Sequence, residues 1–158
     1  MSKHKLCLGI DPGIANTGLA IVSRDLVGKF QVVDYGCIKT ASSNGEGSRY
    51  TVIYSEISKL LIANTPNIVA IERVFFNKNV SSALTTHGAV AICQLSAAQI
   101  GIESVLLKPQ AVKAAIGFAT ADKAKVKQMV AKLTGAKIRS AHANDAVAVA
   151  IAGLLTHR

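Results

Sequence analysis

The sequence is short of cysteine, of long hydrophobic runs, of aromatic rings and above all of acid, and each shortage excludes something. Cys7, Cys37 and Cys93 are the three cysteines, dispersed and without C-x-x-C spacing. That rules out a disulfide scaffold and indicates reduced thiols in a cytoplasmic protein, each acting as a small buried hydrophobe. The longest apolar run, Ala146 to Leu155, is about half of what a bilayer crossing needs. The stretch between Lys5 and Asp11 is too short for a secretory signal core, so no membrane contact is expected. What remains is 158 residues, 50% of them apolar, which is enough for one domain, residues 1–158, with a core of its own.

Nine aspartates and glutamates stand against eighteen lysines and arginines, a formal charge of +9. Acids set at the ends of apolar segments in such a chain need a reason, because a core does not accept an unpaired carboxylate. Asp11, Glu72 and Asp145 are such acids, and His142 lies three residues before the last of them. Acids gathered beside a basic surface point to a divalent-cation site that acts on a polyanion. The basic charge is itself concentrated: between Lys108 and Arg139 there are eight basic residues and one acid, Asp122, a local charge of +7. A solvated helix face normally mixes both signs; a single sign favours phosphate, and hence nucleic acid.

Periodicity orders the elements. Lys5 to Ile10 reads as a strand broken by Asp11-Pro12-Gly13, and Gly18 to Val22 and Phe30 to Ile38 complete an antiparallel meander. From Tyr50 the apolar positions fall at helical spacing until Asn64-Thr65-Pro66. Asn67 to Glu72 is a continuous apolar run closed by an acid, as in a strand buried on both faces. A helix over Ser82 to Ile100, a strand over Glu103 to Leu107 and helices over Gln110 to Ile116, Ala121 to Leu133 and Ala143 to Leu155 follow. There is no internal repeat and no linker. Strands first and alternation afterwards predict an α/β fold, a mixed sheet flanked by helices, with the acids at strand ends, where such folds collect functional groups.

The residues Gly9-Ile10-Asp11-Pro12-Gly13 with Thr17-Gly18, then Ala70-Ile71-Glu72-Arg73-Val74-Phe75, then Lys108-Pro109-Gln110-Ala111-Val112-Lys113, then Asp122-Lys123-Ala124-Lys125-Val126, and finally His142-Ala143-Asn144-Asp145-Ala146 resemble, in order and over nearly the whole chain, the RuvC-type Holliday junction resolvases. The resemblance implies a ribonuclease H-like fold with a five-stranded mixed sheet and helices on both faces. It implies a homodimer placing two nuclease sites on four-way junction DNA, and work alongside a RuvA and RuvB branch-migration complex. Hydrolysis of a phosphodiester needs an activated water and a stabilised leaving alkoxide, which two Mg²⁺ ions bridged by carboxylates supply. Asp11 is then the bridging ligand, with Glu72 and Asp145 holding one cation each.

Simpler readings stay open for each residue. Asp11 fits a turn before Pro-Gly, Glu72 a strand-end ion pair with Arg73, and Asp145 a first-turn acid favoured by the helix dipole. His142 stands where many members of the family carry aspartate. An imidazole there favours Mn²⁺ over Mg²⁺ or carries a proton near the scissile phosphate, unless it is merely packed. Lys113 and Lys123 match positions near the cleaved backbone and are candidate catalytic cations. Phe75 and Phe76, two of only seven aromatic residues, are candidates to stack on unpaired bases, and Lys78, Lys108 and Lys125 to meet the backbone. Rival readings are a ribonuclease H-like nuclease acting on RNA or RNA/DNA hybrid, a catalytically silent DNA-binding module, and an actin-like ATPase, which needs a second such domain.

Overall fold

The meander at the start of the chain is longer than the apolar runs alone predict. The computed structural model describes residues 4–73, 80–118, 120 and 122–157. Its strands are β1 (His4–Asp11), β2 (Asn16–Asp25), β3 (Phe30–Lys39), β4 (Ile68–Glu72) and β5 (Ser104–Leu107). They form one sheet in the order β3-β2-β1-β4-β5. β1 pairs antiparallel with β2 and β2 with β3, while β1 with β4 and β4 with β5 are parallel. The sheet is mixed and five-stranded, as expected, and centred on β1. It buries Cys7, Leu8 and Ile10 of β1 completely.

The helices are α1 (Glu46–Asn64), α2 (Val80–Gln99), α3 (Pro109–Ala115), α4 (Lys123–Thr134) and α5 (Ala141–Thr156). Alternation along β1 divides the core in two. Cys7 joins α3, α4 and α5 through Val112, Val126, Val130 and the apolar side of α5. Leu8 and Ile10 join α1 and α2 through Ile53, Ile57, Leu61, Val90 and Cys93. Helices therefore cover both faces.

Helix starts differ from the periodic expectation where caps decide them. α1 begins at Glu46 rather than Tyr50, because its first turn is polar and exposed and carries no apolar signal. Asp122 is a cap rather than a helical residue: its carboxylate accepts the Lys125 N–H at 2.8 Å, and α4 ends at Gly135 in the left-handed region, φ 72°. Ser140 caps α5 by accepting the Ala143 N–H at 3.3 Å. The helix thus starts at Ala141, and Asp145 falls beyond the first turn, which removes the helix dipole as a sufficient reason for that acid. His142 is the first-turn residue instead.

The three cysteines are free thiols. Burial pushes those of Cys7 and Cys93 up to about 12, so both behave as hydrophobes. Among the described residues no helix is long and apolar enough to cross a membrane.

Candidate active site

α5 is laid directly on the sheet, and glycine is what permits it. A Cβ on Gly9 would come within 2.5 Å of the Ala150 backbone nitrogen, and one on Gly18 would run into the His142 carbonyl. Gly18 is the register partner of Asp11 across β1 and β2. The contact that forbids a side chain at Gly18 is therefore the one that sets the start of α5 over the end of β1. Asp11 ends β1, and Glu72 ends its parallel neighbour β4, where Ile10 pairs with Ile71. His142 and Asp145, three apart on α5, complete the set.

All four line one cavity of about 270 Å³ together with Lys113 and Lys123. His142 Nδ1 lies 2.9 Å from Asp11 Oδ2, and the Lys123 ammonium lies 3.5 Å from Asp145 Oδ2. Burial pushes the Glu72 carboxyl up to about 7, helped by the negative charges of Asp11 and Asp145 and a hydrogen bond shared with Asp11, with Lys123 opposing. Asp11 is also raised, chiefly by burial, with the His142 hydrogen bond opposing. Three acids thus share a space in which they repel one another. A roomier groove of about 380 Å³ lies between β2, β3 and α1, with Asp34 and Glu56 in an apolar lining. It gathers none of the three acids, so chemistry rather than volume selects the site.

The donor set fits hard divalent cations: carboxylate oxygens, one imidazole nitrogen and an open cavity. As they stand, no three of the described His, Cys, Asp and Glu side chains converge on a common coordination point, and His142 and Lys123 occupy two of the carboxylates instead. The Lys123 side chain is 83% exposed, so water screens its pairing with Asp145 and little holds it there. The proton that Glu72 holds near neutral pH is what a cation would displace.

Of the other predicted residues, Lys113 is half-buried on α3 and lines the cavity. Lys108 and Lys125 are exposed and lie outside that lining. Phe75, Phe76 and Lys78 lie outside the described residues. On α2, Leu84, Ala91 and Leu95 face outward, whereas Ala83 is buried and Ile92 packs against the core. Sequence reasoning missed Asn144. It is buried on α5, 4% exposed, and its side-chain oxygen has no hydrogen-bond partner, a state that costs about 1 to 3 kcal/mol. The signal was present, one neutral amide between His142 and Asp145, just ahead of the small apolar run from Ala146.

The family model described as crossover junction endodeoxyribonuclease RuvC matches residues 7–153. A crossover junction endodeoxyribonuclease RuvC from Ruminiclostridium cellulolyticum is 38% identical over 97% of this chain and 93% of its own. One from Alkaliphilus metalliredigens is 38% identical over 96% of this chain and 92% of its own. The fold superposes on the Thermus thermophilus RuvC structure with a TM-score of 0.86 at 28% identity, covering 93% of this chain and 92% of that one. It superposes on T. thermophilus RuvC in complex with Holliday junction substrate at 0.85 and 26%, covering 93% and 91%. Motif order, sheet topology and these matches agree, and the chain belongs to the RuvC family of crossover junction endodeoxyribonucleases.

Proposed function

We propose that this chain, acting over residues 1–158 as one nuclease domain, resolves four-way DNA junctions by paired, metal-dependent nicks. The observation that carries the reading is the single cavity in which Asp11, Glu72, His142 and Asp145 meet Lys113 and Lys123. Divalent cations, Mg²⁺ or Mn²⁺ and two per site, would be held by Asp11 between Glu72 and Asp145. When bound they supply an activated water and charge neutralisation at the leaving oxygen. The protein's own part is placement. β1 and β4 hold two carboxylates at neighbouring strand ends, and α5 holds Asp145 beside them. His142 keeps a proton position at Nδ1 against Asp11. Lys113 and Lys123 bring positive charge to the scissile phosphate, and Lys123 exchanges Asp145 for it.

The imidazole of His142 in place of a fourth acid favours Mn²⁺ relative to Mg²⁺. Phe75, Phe76 and Lys78 follow Glu72 by three to six residues, which supports their meeting DNA beside the site. Lys108 and Lys125 are exposed and suit contacts to the backbone. A four-way junction has near two-fold symmetry, so a C2 homodimer suits paired nicks. The outward residues Leu84, 58% exposed, and Leu95, 48% exposed, support α2 as its interface. Work beside RuvA and RuvB is supported by family membership alone.

The test is nicking of a synthetic four-way junction, a linear duplex and an RNA/DNA hybrid in Mg²⁺, in Mn²⁺ and in chelator. Paired nicks confined to the junction and abolished by chelator are expected. Equal cutting of the hybrid would move the reading to a ribonuclease, and no cutting of any substrate would leave a silent binding module.

A further inference from the structure

We infer that Arg49, near the start of α1, is a positioning residue for the nuclease site: through the Thr40 hydroxyl it fixes the turn that follows Asp11 and so holds that carboxylate for its cation. The inference deepens the nuclease reading above and rests on it. β1 ends at Asp11 and β2 begins at Asn16, so residues 12–15 make the whole connection. The carbonyls of Gly13, Ile14 and Ala15 are each taken by a donor from outside the turn. The Thr17 hydroxyl donates to the Gly13 oxygen at 2.7 Å, the Thr40 hydroxyl donates to the Ile14 oxygen, and the Thr40 backbone N–H donates to the Ala15 oxygen at 3.1 Å. Arg49 Nε in turn donates to Thr40 Oγ1 at 2.8 Å. Gly13 keeps the connection tight, since a Cβ there would come within 2.5 Å of the Asn16 carbonyl oxygen.

A hydroxyl has one proton and rotates to suit its surroundings. With Arg49 Nε donating onto its oxygen, the Thr40 hydroxyl can only aim that proton at an acceptor, and the Ile14 oxygen receives it. The guanidinium is always charged, so the bond that aims the hydroxyl is stronger than a neutral one. The seating of α1 does not need it, because Ile53, Ile57 and Leu61 are fully buried beneath that helix. Gly13 and Ile14 are half-buried and Ala15 is exposed, where water would satisfy the same carbonyls nearly as well but would not fix their place. Place is what a metal ligand requires, and hydrogen bonds behind the ligand supply it. Asp11 is held on one side by its pairing with Gly18 and leads on the other straight into this turn, in a cavity shared with two acids that repel it, Glu72 and Asp145. Arg49 does not line that cavity, so it acts through the turn. Among the described residues no carboxylate lies within ion-pair distance of it, which makes a DNA phosphate the rival use of its charge.

The experiment compares Arg49→Gln, Thr40→Val and Thr40→Ser with wild type. It reads Mn²⁺ affinity of the DNA-free protein by calorimetry, junction cleavage against Mn²⁺ concentration, junction binding in chelator across a salt series, and the thermal melt. Arg49→Gln should weaken Mn²⁺ about tenfold, the lower end for a partner behind a metal ligand, and raise the Mn²⁺ needed for half-maximal cleavage by the same factor. Junction affinity and its salt slope should stay at wild type, and the melt close to it. Thr40→Val should match Arg49→Gln, and Thr40→Ser, which keeps the hydroxyl, should return Mn²⁺ affinity to wild type. If Arg49→Gln fails to fold, the two Thr40 variants decide alone. Cleavage lost with unchanged Mn²⁺ affinity and a salt slope lower by about one would make Arg49 a phosphate contact, and a lowered melt with unchanged Mn²⁺ affinity would make it structural. Either result overturns the inference, as does full Mn²⁺ affinity in Thr40→Val. A wild type that nicks normally while Mn²⁺ affinity ignores these changes removes the inference alone; one that binds Mn²⁺ but nicks no junction removes the nuclease reading itself.

Discussion

The two sides of the candidate catalytic cavity are built on different foundations. Asp11, Glu72, His142 and Asp145 project from β1, β4 and α5, whose neighbouring residues Ile10, Ile71, Ala143 and Ala146 are fully buried. Lys113 and Lys123 project from α3 and α4, which touch the core through Val112, Val126 and Val130 and turn their other faces to water. Ligands must be held within a fraction of an ångström of a cation, whereas an ammonium neutralises phosphate charge over several. The side needing precision is fixed by backbone packing, and the side needing only charge rides on flexible stems. Changes on the first side should therefore be all or none, and changes on the second graded.

The sharpest way to break this contrast is to neutralise the acids without altering their shape. Asp11→Asn, Glu72→Gln and Asp145→Asn should each lower junction cleavage by more than about 100-fold, since even partners behind a metal ligand are worth 10- to 100-fold. Binding, measured on the same samples by gel shift, should hold or tighten, because negative charge facing DNA is removed. Binding lost together with cleavage would make these residues structural.

Next in size is the packing that places them. Gly18→Ala drives a methyl into the His142 carbonyl and should destabilise the fold by about 1 to 3 kcal/mol, read in a thermal melt, with cleavage falling as α5 shifts. An unchanged melt and unchanged cleavage would show that α5 is not seated by this contact.

The third effect concerns pH. In the cation-free protein the Glu72 carboxyl is raised from its ordinary 4.5 to about 7, so the folded state holds that proton more tightly than the unfolded chain does. The associated stability is complete below about pH 4.5, falls as pH rises, and is gone above about 7. Glu72→Gln should therefore stabilise the protein at pH 8, in chelator, by on the order of 2 kcal/mol and leave it unchanged at pH 4. Equal melting temperatures at pH 8 would place Glu72 in water. The smallest effect belongs to the exposed rim, where Lys125→Gln should lower the salt slope of binding by about one and leave the melt and cleavage at saturating protein where they were.

The same contrast explains what could be read in the sequence. The order of all ten elements was legible because β1, β4 and α5 are buried on more than one side and read as continuous apolar runs, whereas the bridging role of Asp11 came only from the family resemblance. The start of α1 was not, since Glu46 to Arg49 carry no apolar period. The starts of α4 and α5 depend on Asp122 and Ser140 as caps, which pattern alone left inside or outside the helix. Two things need coordinates. Leu84 and Leu95 share a helical stripe with Ala83 and Ile92, and only packing separates them. Gly9 and Gly18 were visible as motif residues, but the helix pressed against them was not.

The most direct measurement is calorimetric titration of Mn²⁺ into the DNA-free protein near pH 7 in buffers of different ionisation enthalpy, for wild type and Glu72→Gln. The wild type should bind and release a substantial fraction of a proton, the one that Glu72 holds at about 7. Glu72→Gln should bind more weakly and release less. Mn²⁺ binding of equal strength with equal proton release in both proteins would contradict a cation site built from these strand-end carboxylates.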